Sequence, residues 1–300
     1  MAEDLAAVRA RIRGVQQLDA VIGAMRGIAA AHAQQSRALL PGFRAYAEVI
    51  AQAIAQALRL RDDDAQRAIG SAGVARIVFC AEQGFVGGFA EHVLEAAAAR
   101  VPADVFLVGS RGLLLAPTHG IVPVWQSAMA TQVGGIAGLC IRIAEALYEQ
   151  MTTRRIGAVE VVFPAWTVGV GVGVTCRSLL PLDAEHFGVV PAGMPPLTTL
   201  PPEVLLASLA EEYVFASLCE AAMHAFVAEN EARAAAMVRA RSKVQEMLAE
   251  LTLSEHRVRQ EAITAELVEL AAGQTSPALH AGEVEVRQHR GEGDRVGTLL

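Results

Sequence analysis

The sequence predicts a mixed α/β protein in which a compact α/β domain is carried between two long helices that pair with each other. Three observations predict it. Residues 203 to 272 run without a proline or glycine, and apolar residues recur there at heptad spacing. Residues 3 to 40 carry a second apolar stripe at helical steps. Between the two, short apolar runs alternate with helical ones, the pattern of a mostly parallel sheet.

The last helix organises the chain. It opens at Leu200-Pro201-Pro202-Glu203, where prolines suit a helix start. Alanine, leucine, glutamate and arginine, all good helix formers, dominate the residues after it. Some 70 residues at about 1.5 Å each would reach roughly 105 Å, far beyond the width of a compact domain of this size. Met237, Val244, Leu251 and Val258 recur every seven residues, with Leu248 and Ala262 at a second position. That spacing asks for a helical partner, because an isolated helix cannot bury the stripe.

The partner stands at the other end of the chain. Leu5, Val8, Ile12, Val15, Leu18, Ile22, Met25 and Ala29 fall at steps of three and four. One extra three-step near Val15 predicts a local disturbance of the supercoil. Val15, Ile22 and Met25 on this helix, and Met237, Val244, Leu248, Leu251 and Val258 on the last, are the expected seam. Pro41-Gly42 predicts a kink or short break before the helical segment ends near residue 58.

These patterns set the domain boundaries: 1–66 for the first helical segment, 70–196 for the α/β head, 201–273 for the last helix and 274–300 for a tail. In the head, Arg76 to Cys80 reads as a buried strand, followed by a glycine turn and a helix from Ala90 to Arg100. Asp104 to Gly109 is a second strand, residues 111 to 116 a short helix, and Gly120 to Trp125 a third strand. Thr131 to Arg154 is helical, Ile156 to Phe163 a fourth strand, and Val168 to Leu182 holds one or two more. The order is Rossmann-like. Pro191 to Pro202 is a proline-rich connector. The tail is rich in glycine, histidine, arginine and glutamate and keeps no period, so disorder is expected there.

Composition narrows the function classes. The 300 residues are 53% hydrophobic but only 5% aromatic, so small aliphatic side chains make most of the core. A net charge of −7 gives no general case for nucleic-acid binding. Cationic side chains are nonetheless concentrated: residues 1 to 61 hold eight arginines, and Lys243 is the only lysine. Cys80, Cys140, Cys176 and Cys219 are scattered without a C-x-x-C pair, which points to reduced, mostly buried thiols rather than disulfides or zinc. The N-terminus carries acids and arginines where a signal peptide would be apolar. The stretch from Gly112 to Ile141 lacks acidic and basic side chains apart from His119, but its prolines, glycines and glutamines argue against a membrane span.

The motifs read mostly as structure. Gly84-Phe85-Val86-Gly87-Gly88 lies between a strand and a helix, where a phosphate loop could sit. It matches neither dinucleotide nor P-loop spacing and has no basic neighbour, so Gly84, Gly87 and Gly88 read as a tight structural turn. The alternating glycines of Gly169 to Val174 fit a strand with one face closely covered or exposed. The eight histidines show no metal spacing, and no cofactor is expected. Arg9, Arg11, Arg13 and Arg26 on the first helix, and Arg233, Arg239, Arg241 and Lys243 on the last, would ordinarily be solvated faces.

Several segments carry a resemblance. Arg259-Gln260-Glu261-Ala262-Ile263-Thr264-Ala265-Glu266-Leu267-Val268-Glu269-Leu270 resembles the R-Q-x-x-I-T-x-E-L-x-E-I pattern near the C-terminus of the gamma subunits of F-type ATP synthases. Ile22 to Ala31 resembles the family's I-T-x-A-M-K-M-V-A-A, with Gly27 in place of the methionine and His32 departing from a lysine. Glu82 to Phe89 resembles its D-R-G-L-C-G-G-L, Val108 to Gly112 its I-G-R-K-G, and Leu179 to Leu182 its LLP turn. The matches keep the family's order over about residues 5 to 273.

The resemblance implies a central rotor stalk whose two long helices form an antiparallel, left-handed coiled coil inside a hexamer of alpha and beta subunits. The α/β head would then sit against an epsilon subunit and the membrane c-ring. It implies no bond chemistry in this chain, no direct membrane insertion and a peripheral place on the cytoplasmic face of the bacterial inner membrane. Basic residues of the two helices would meet acidic loops of the beta subunits. Arg9, Arg13, Arg26, Arg239, Arg241 and Lys243 are the candidates, with Arg259, Gln260, Thr264 and Glu266 from the matched motif. The alternative is a non-rotary adaptor with a helical arm and an α/β head.

Overall fold

The computed structural model describes residues 2–60, 73–100, 102–154, 156–167, 169–182 and 197–274. Residues 61–72 of the polar linker expected from Arg59 to Gly73, the first half of the proline-rich connector, and the tail beyond Gln274 lie outside the described residues. The elements are α1 (Ala2–Leu58), β1 (Gly73–Phe79), α2 (Phe89–Ala98), β2 (Asp104–Val108) and α3 (Ser110–Leu115). They continue with β3 (Trp125–Ser127), α4 (Ile136–Arg154), β4 (Ile156–Thr167), β5 (Gly171–Leu180) and α5 (Pro202–Gln274).

The five strands form one sheet in the order β3-β2-β1-β4-β5. Neighbours are parallel except at β4–β5, an antiparallel edge pair. Central β1 is buried on both faces, as a strand covered by helices must be. Its alternate residues part to two cores. Ile77 and Phe79 face Ile136, Leu139, Ile143 and Leu147 of α4 and Val214, Leu218 and Phe226 of α5. Val78 and Cys80 face Phe89, Val93 and Leu94 of α2. Almost every residue of α5 from Val214 to Asn230 is buried, so this stretch is packed all round rather than on one stripe.

Three expectations change. The short break expected at Pro41-Gly42 does not occur: α1 is continuous through it. Leu40 and Phe43, on either side, pack against the core and hold it helical through the proline. The third strand is only Trp125–Ser127; from Gly120 to Val124, where a strand is expected, the chain is turn and irregular, following a 3₁₀ turn at Ala116–His119. The fourth strand runs on past Pro164 to Thr167. Beyond Val162 it has β5 as its only partner, an edge where proline is tolerated.

The chain divides into two compact units: residues 1–14 with 248–300, and residues 15–247, which hold the whole head. In the larger unit α1 and α5 run antiparallel, because Asp19, Arg37 and Arg44 meet Arg241, Glu231 and Glu220 in turn.

Candidate functional site

The helix pair carries the expected contact residues. In the larger unit Val15, Ile22, Met237 and Val244, all expected at the seam, are buried and Met25 is half-buried. The seam differs from expectation at one place. Leu18 is 48% exposed. Asp19 turns inward instead and accepts a hydrogen bond from Arg241 Nε at 3.2 Å. The steps from Val15 to Asp19 and Ile22 are therefore four and three, and no disturbance is needed near Val15. In the smaller unit Leu248, Leu251, Val258 and Ala262 differ little in setting: Leu251, Val258, Ala262 and Leu248 are all half-buried. Glu255, at the same spacing, accepts from Arg9 Nε and Arg259 Nη2, each at 2.9 Å. Arg9 holds the Glu255 carboxyl below its usual range. Polar pairs at seam positions fix register, since a slipped helix would leave them unpaired.

The expected contact residues thus separate. Arg9, Arg241 and Arg259 are engaged within the chain. Arg13 and Arg26 are exposed. Gln260, Thr264 and Glu266 are exposed on α5, with Thr264 Oγ1 donating to the Gln260 carbonyl at 2.9 Å. Lys243 is exposed beside Glu246, 2.8 Å away. Arg239 is exposed and reaches towards the glycine turn, where a Cβ on Gly87 would lie 3.8 Å from its Nη2. Arg233 is not on a solvated face. It is buried, donating to Glu229 Oε1 at 2.5 Å and Asn230 Oδ1 at 3.2 Å.

The glycine turn is real, but its glycines matter unequally. Gly87 has φ +64 and needs a residue free to be left-handed. Gly84 has open space at its Cβ position, and Gly88 would meet only the ends of the Glu91 and His92 side chains. The closely packed glycines stand elsewhere. A Cβ on Gly109, at φ +112, would fall 2.5 Å from the Cys80 carbonyl oxygen; one on Gly112 would fall 2.5 Å from Cys80 Cβ. The V-G-S-R-G segment, not the longer glycine cluster, is where backbone and strand come closest.

Two carboxylates organise the region around the turn: Glu82, the acidic first residue of the matched glycine segment, and Glu229, which no motif singles out. Glu82 accepts from Ser110 Oγ at 2.7 Å, Ser110 N–H at 3.0 Å and Met129 N–H at 2.7 Å. It thereby ties together the segments leaving the carboxyl ends of β1, β2 and β3. Ligands of open α/β sheets bind at such strand ends; here a side chain of the protein itself takes the backbone donors. Glu229 of α5 accepts the N–H groups of Glu82 and Gln83, both at 3.1 Å. A cleft of about 330 Å³ borders these groups, walled by Met25, Ile28 and His32 of α1 and Phe226 of α5. The sequence does hold a signal for Glu229: it is a charge inside a run of α5 that is apolar on every face.

Glu220, nine residues earlier on α5, is also buried. Arg177 Nη1 of β5 donates to it at 2.6 Å, and Arg44 of α1 and His224 stand 3.7 Å away. Burial alone would raise the Glu220 carboxyl, but the nearby His224 imidazole and the hydrogen bond and charge of Arg177 outweigh it and bring it down to about 2. A carboxyl depressed in the folded state adds stability that is complete above its ordinary value of 4.5 and is lost as pH falls towards 2. Glu220→Gln should therefore lower the thermal midpoint at pH 7 and flatten the loss of stability between pH 4.5 and 2, as read by thermal melts across that range. An acid limb identical to wild type would contradict this.

Among the described residues no group of three or more histidine, cysteine, aspartate or glutamate side chains could hold a metal ion. Cys80, Cys140 and Cys219 are buried free thiols, and Cys176 is exposed. Burial pushes the Cys80 thiol up to about 12, which makes it unreactive. None of the described helices is long and apolar enough to cross a membrane.

Comparison with known proteins gives a consistent picture. A family model described as ATP synthase matches residues 4–276. An ATP synthase gamma chain of Frankia casuarinae is 27% identical over 296 residues, covering 91% of this chain and 97% of that one. One of Moorella thermoacetica is 25% identical, covering 89% and 96%. Among solved structures, a chain of the Euglena gracilis mitochondrial ATP synthase OSCP/F1/c-ring assembly superposes with a TM-score of 0.62 at 12% identity, covering 94% of this chain and 100% of that one. A chain from the central stalk and c-ring of the Tetrahymena thermophila enzyme superposes at 0.53 with 14% identity, covering 73% and 99%.

Proposed function

Because this chain belongs to the ATP synthase gamma-subunit family, we propose that it is the central rotor stalk of an F-type ATP synthase, passing torque between an ion-driven membrane ring and a catalytic hexamer. The observation that carries this reading is the match over residues 4–276, which takes in both long helices and the head together. The chain does no bond chemistry itself; ATP is made or hydrolysed on its partners. Those partners are the alpha and beta subunits around the helix pair, and an epsilon subunit and the c-ring against the head. The protein lies peripherally on the cytoplasmic face of the bacterial inner membrane.

The mechanism is differential contact. An asymmetric shaft presents a different surface to each beta subunit, and only contacts that differ between open and closed states can shift a site between them. Arg13 and Arg26 on α1, and Arg239, Lys243, Gln260, Thr264 and Glu266 on α5, are exposed and available for such contacts. Arg9, Arg241 and Arg259 act first on the helix pair, through Glu255 and Asp19.

Affinity purification of the tagged chain from native membranes tests this. The expected result is co-purification of alpha, beta, epsilon and ring subunits with ATP hydrolysis activity. Capture of other proteins without ATPase activity would support the adaptor instead.

A further inference from the structure

The buried stretch of α5 meets the head in two different ways. Apolar packing surrounds it from Val214 to Phe226. Such packing resists separation, and its interlocked side chains resist turning, but the attraction itself is non-directional and any one turn of helix can be repacked more readily than a charged hydrogen bond can be replaced. Directional contacts come from two buried acids. Glu220 receives Arg177 of β5 at 2.6 Å, with Arg44 of α1 nearby. Glu229 receives two backbone N–H groups of the turn after β1, both at 3.1 Å, and is itself braced by Arg233.

Their spacing gives these contacts a mechanical meaning. Nine residues at 3.6 per turn is about two and a half turns, so the two carboxylates project from opposite sides of α5, about 13.5 Å apart along its axis. Each is joined to a different part of the head: Glu220 to edge strand β5, Glu229 to the turn leading into α2. Two directional bonds on opposite sides of an axis act as a couple. Turning α5 either way inside the head stretches both at once. The carboxylates are charge-assisted acceptors, which makes them stiffer and stronger than neutral pairs.

We propose that Glu220 and Glu229 are paired anchors that stop α5 from turning within the head and so set the torsional stiffness of the shaft, a role that rests on the rotor reading above. The Glu82 carboxylate supports the second anchor. It fixes the segments after β1, β2 and β3 to one another, so the turn held by Glu229 is tied to the sheet rather than free to follow the helix.

The test uses the rotor assembled with its partner subunits, the hexamer immobilised and a bead on the exposed Cys176 thiol. The angular spread of the bead while the motor waits at limiting ATP reports torsional stiffness. Glu220→Gln and Glu229→Gln, which keep side-chain volume, should each widen the spread, and the double variant should widen it further. Arg154→Gln, which removes an exposed ion pair with Asp104, should leave it unchanged. An assembled double variant with wild-type spread would overturn the proposal. Hydrogen exchange on the free full-length chain gives a readout independent of rotation. Glu229→Gln should speed exchange at the Glu82 and Gln83 amides, and unchanged exchange would remove that anchor by itself. A wild-type assembly that hydrolyses ATP without turning would contradict the rotor reading and leave the exchange result to decide whether the anchor exists.

Discussion

Gly109→Ala is expected to cost at least about 3 kcal/mol and to leave the head unfolded or poorly folded at growth temperature. Two costs combine. The residue sits at φ +112, a conformation that L side chains rarely adopt, and its Cβ would lie 2.5 Å from the Cys80 carbonyl oxygen and 2.7 Å from that of Ala81. Those are backbone atoms at the exit of a central strand, so neither can yield cheaply. Gly112→Val should be comparably severe, because its Cβ would overlap Cys80 Cβ at 2.5 Å and Sγ at 2.7 Å. Gly84→Ala is the informative contrast: with open space at that position, it should change stability by no more than about 0.5 kcal/mol. Denaturant unfolding of the three variants checks this. A tolerated Gly109→Ala beside a damaging Gly84→Ala would mean that the turn after β1, not the approach of Gly109 and Gly112 to Cys80, sets the packing.

Val244→Asp is the second large effect. Val244 is buried in the larger unit, and an unpaired charge there should cost on the order of 3 kcal/mol. Leu251→Asp, half-buried in the smaller unit, should cost less. Val238→Asp, 47% exposed on the same helix, should be nearly neutral. Thermal melts followed by helicity give the order, and the coupling of ATP hydrolysis to ion pumping should fall in the same order. Wild-type melting and coupling in Val244→Asp would refute the seam.

Much of this architecture is legible in the sequence because it rests on local pattern. Heptad spacing marks α5 and its partner, and alternating strand and helix runs mark the head. The departures share a cause: the decisive partner is distant in sequence. Apolarity favours Leu18 over Asp19 for the seam, while Asp19 turns inward for Arg241. A break at Pro41 follows from helix propensity, yet Leu40 and Phe43 pack through it. The glycine-rich turn stands out by density, whereas Gly109 and Gly112 are constrained by Cys80 at the end of a neighbouring strand. Glu82 and Glu229 stand 147 residues apart, and no periodicity joins them.

The most direct measurement of the central claim is rotation itself. The chain is assembled with alpha and beta subunits, the hexamer is fixed to a surface, and a bead is attached at Cys176 in the head. The rotor reading predicts that ATP drives the bead in one direction, in steps that slow as nucleotide becomes limiting. Steady ATP hydrolysis by the assembled hexamer with a bead that only fluctuates about a fixed angle would contradict it.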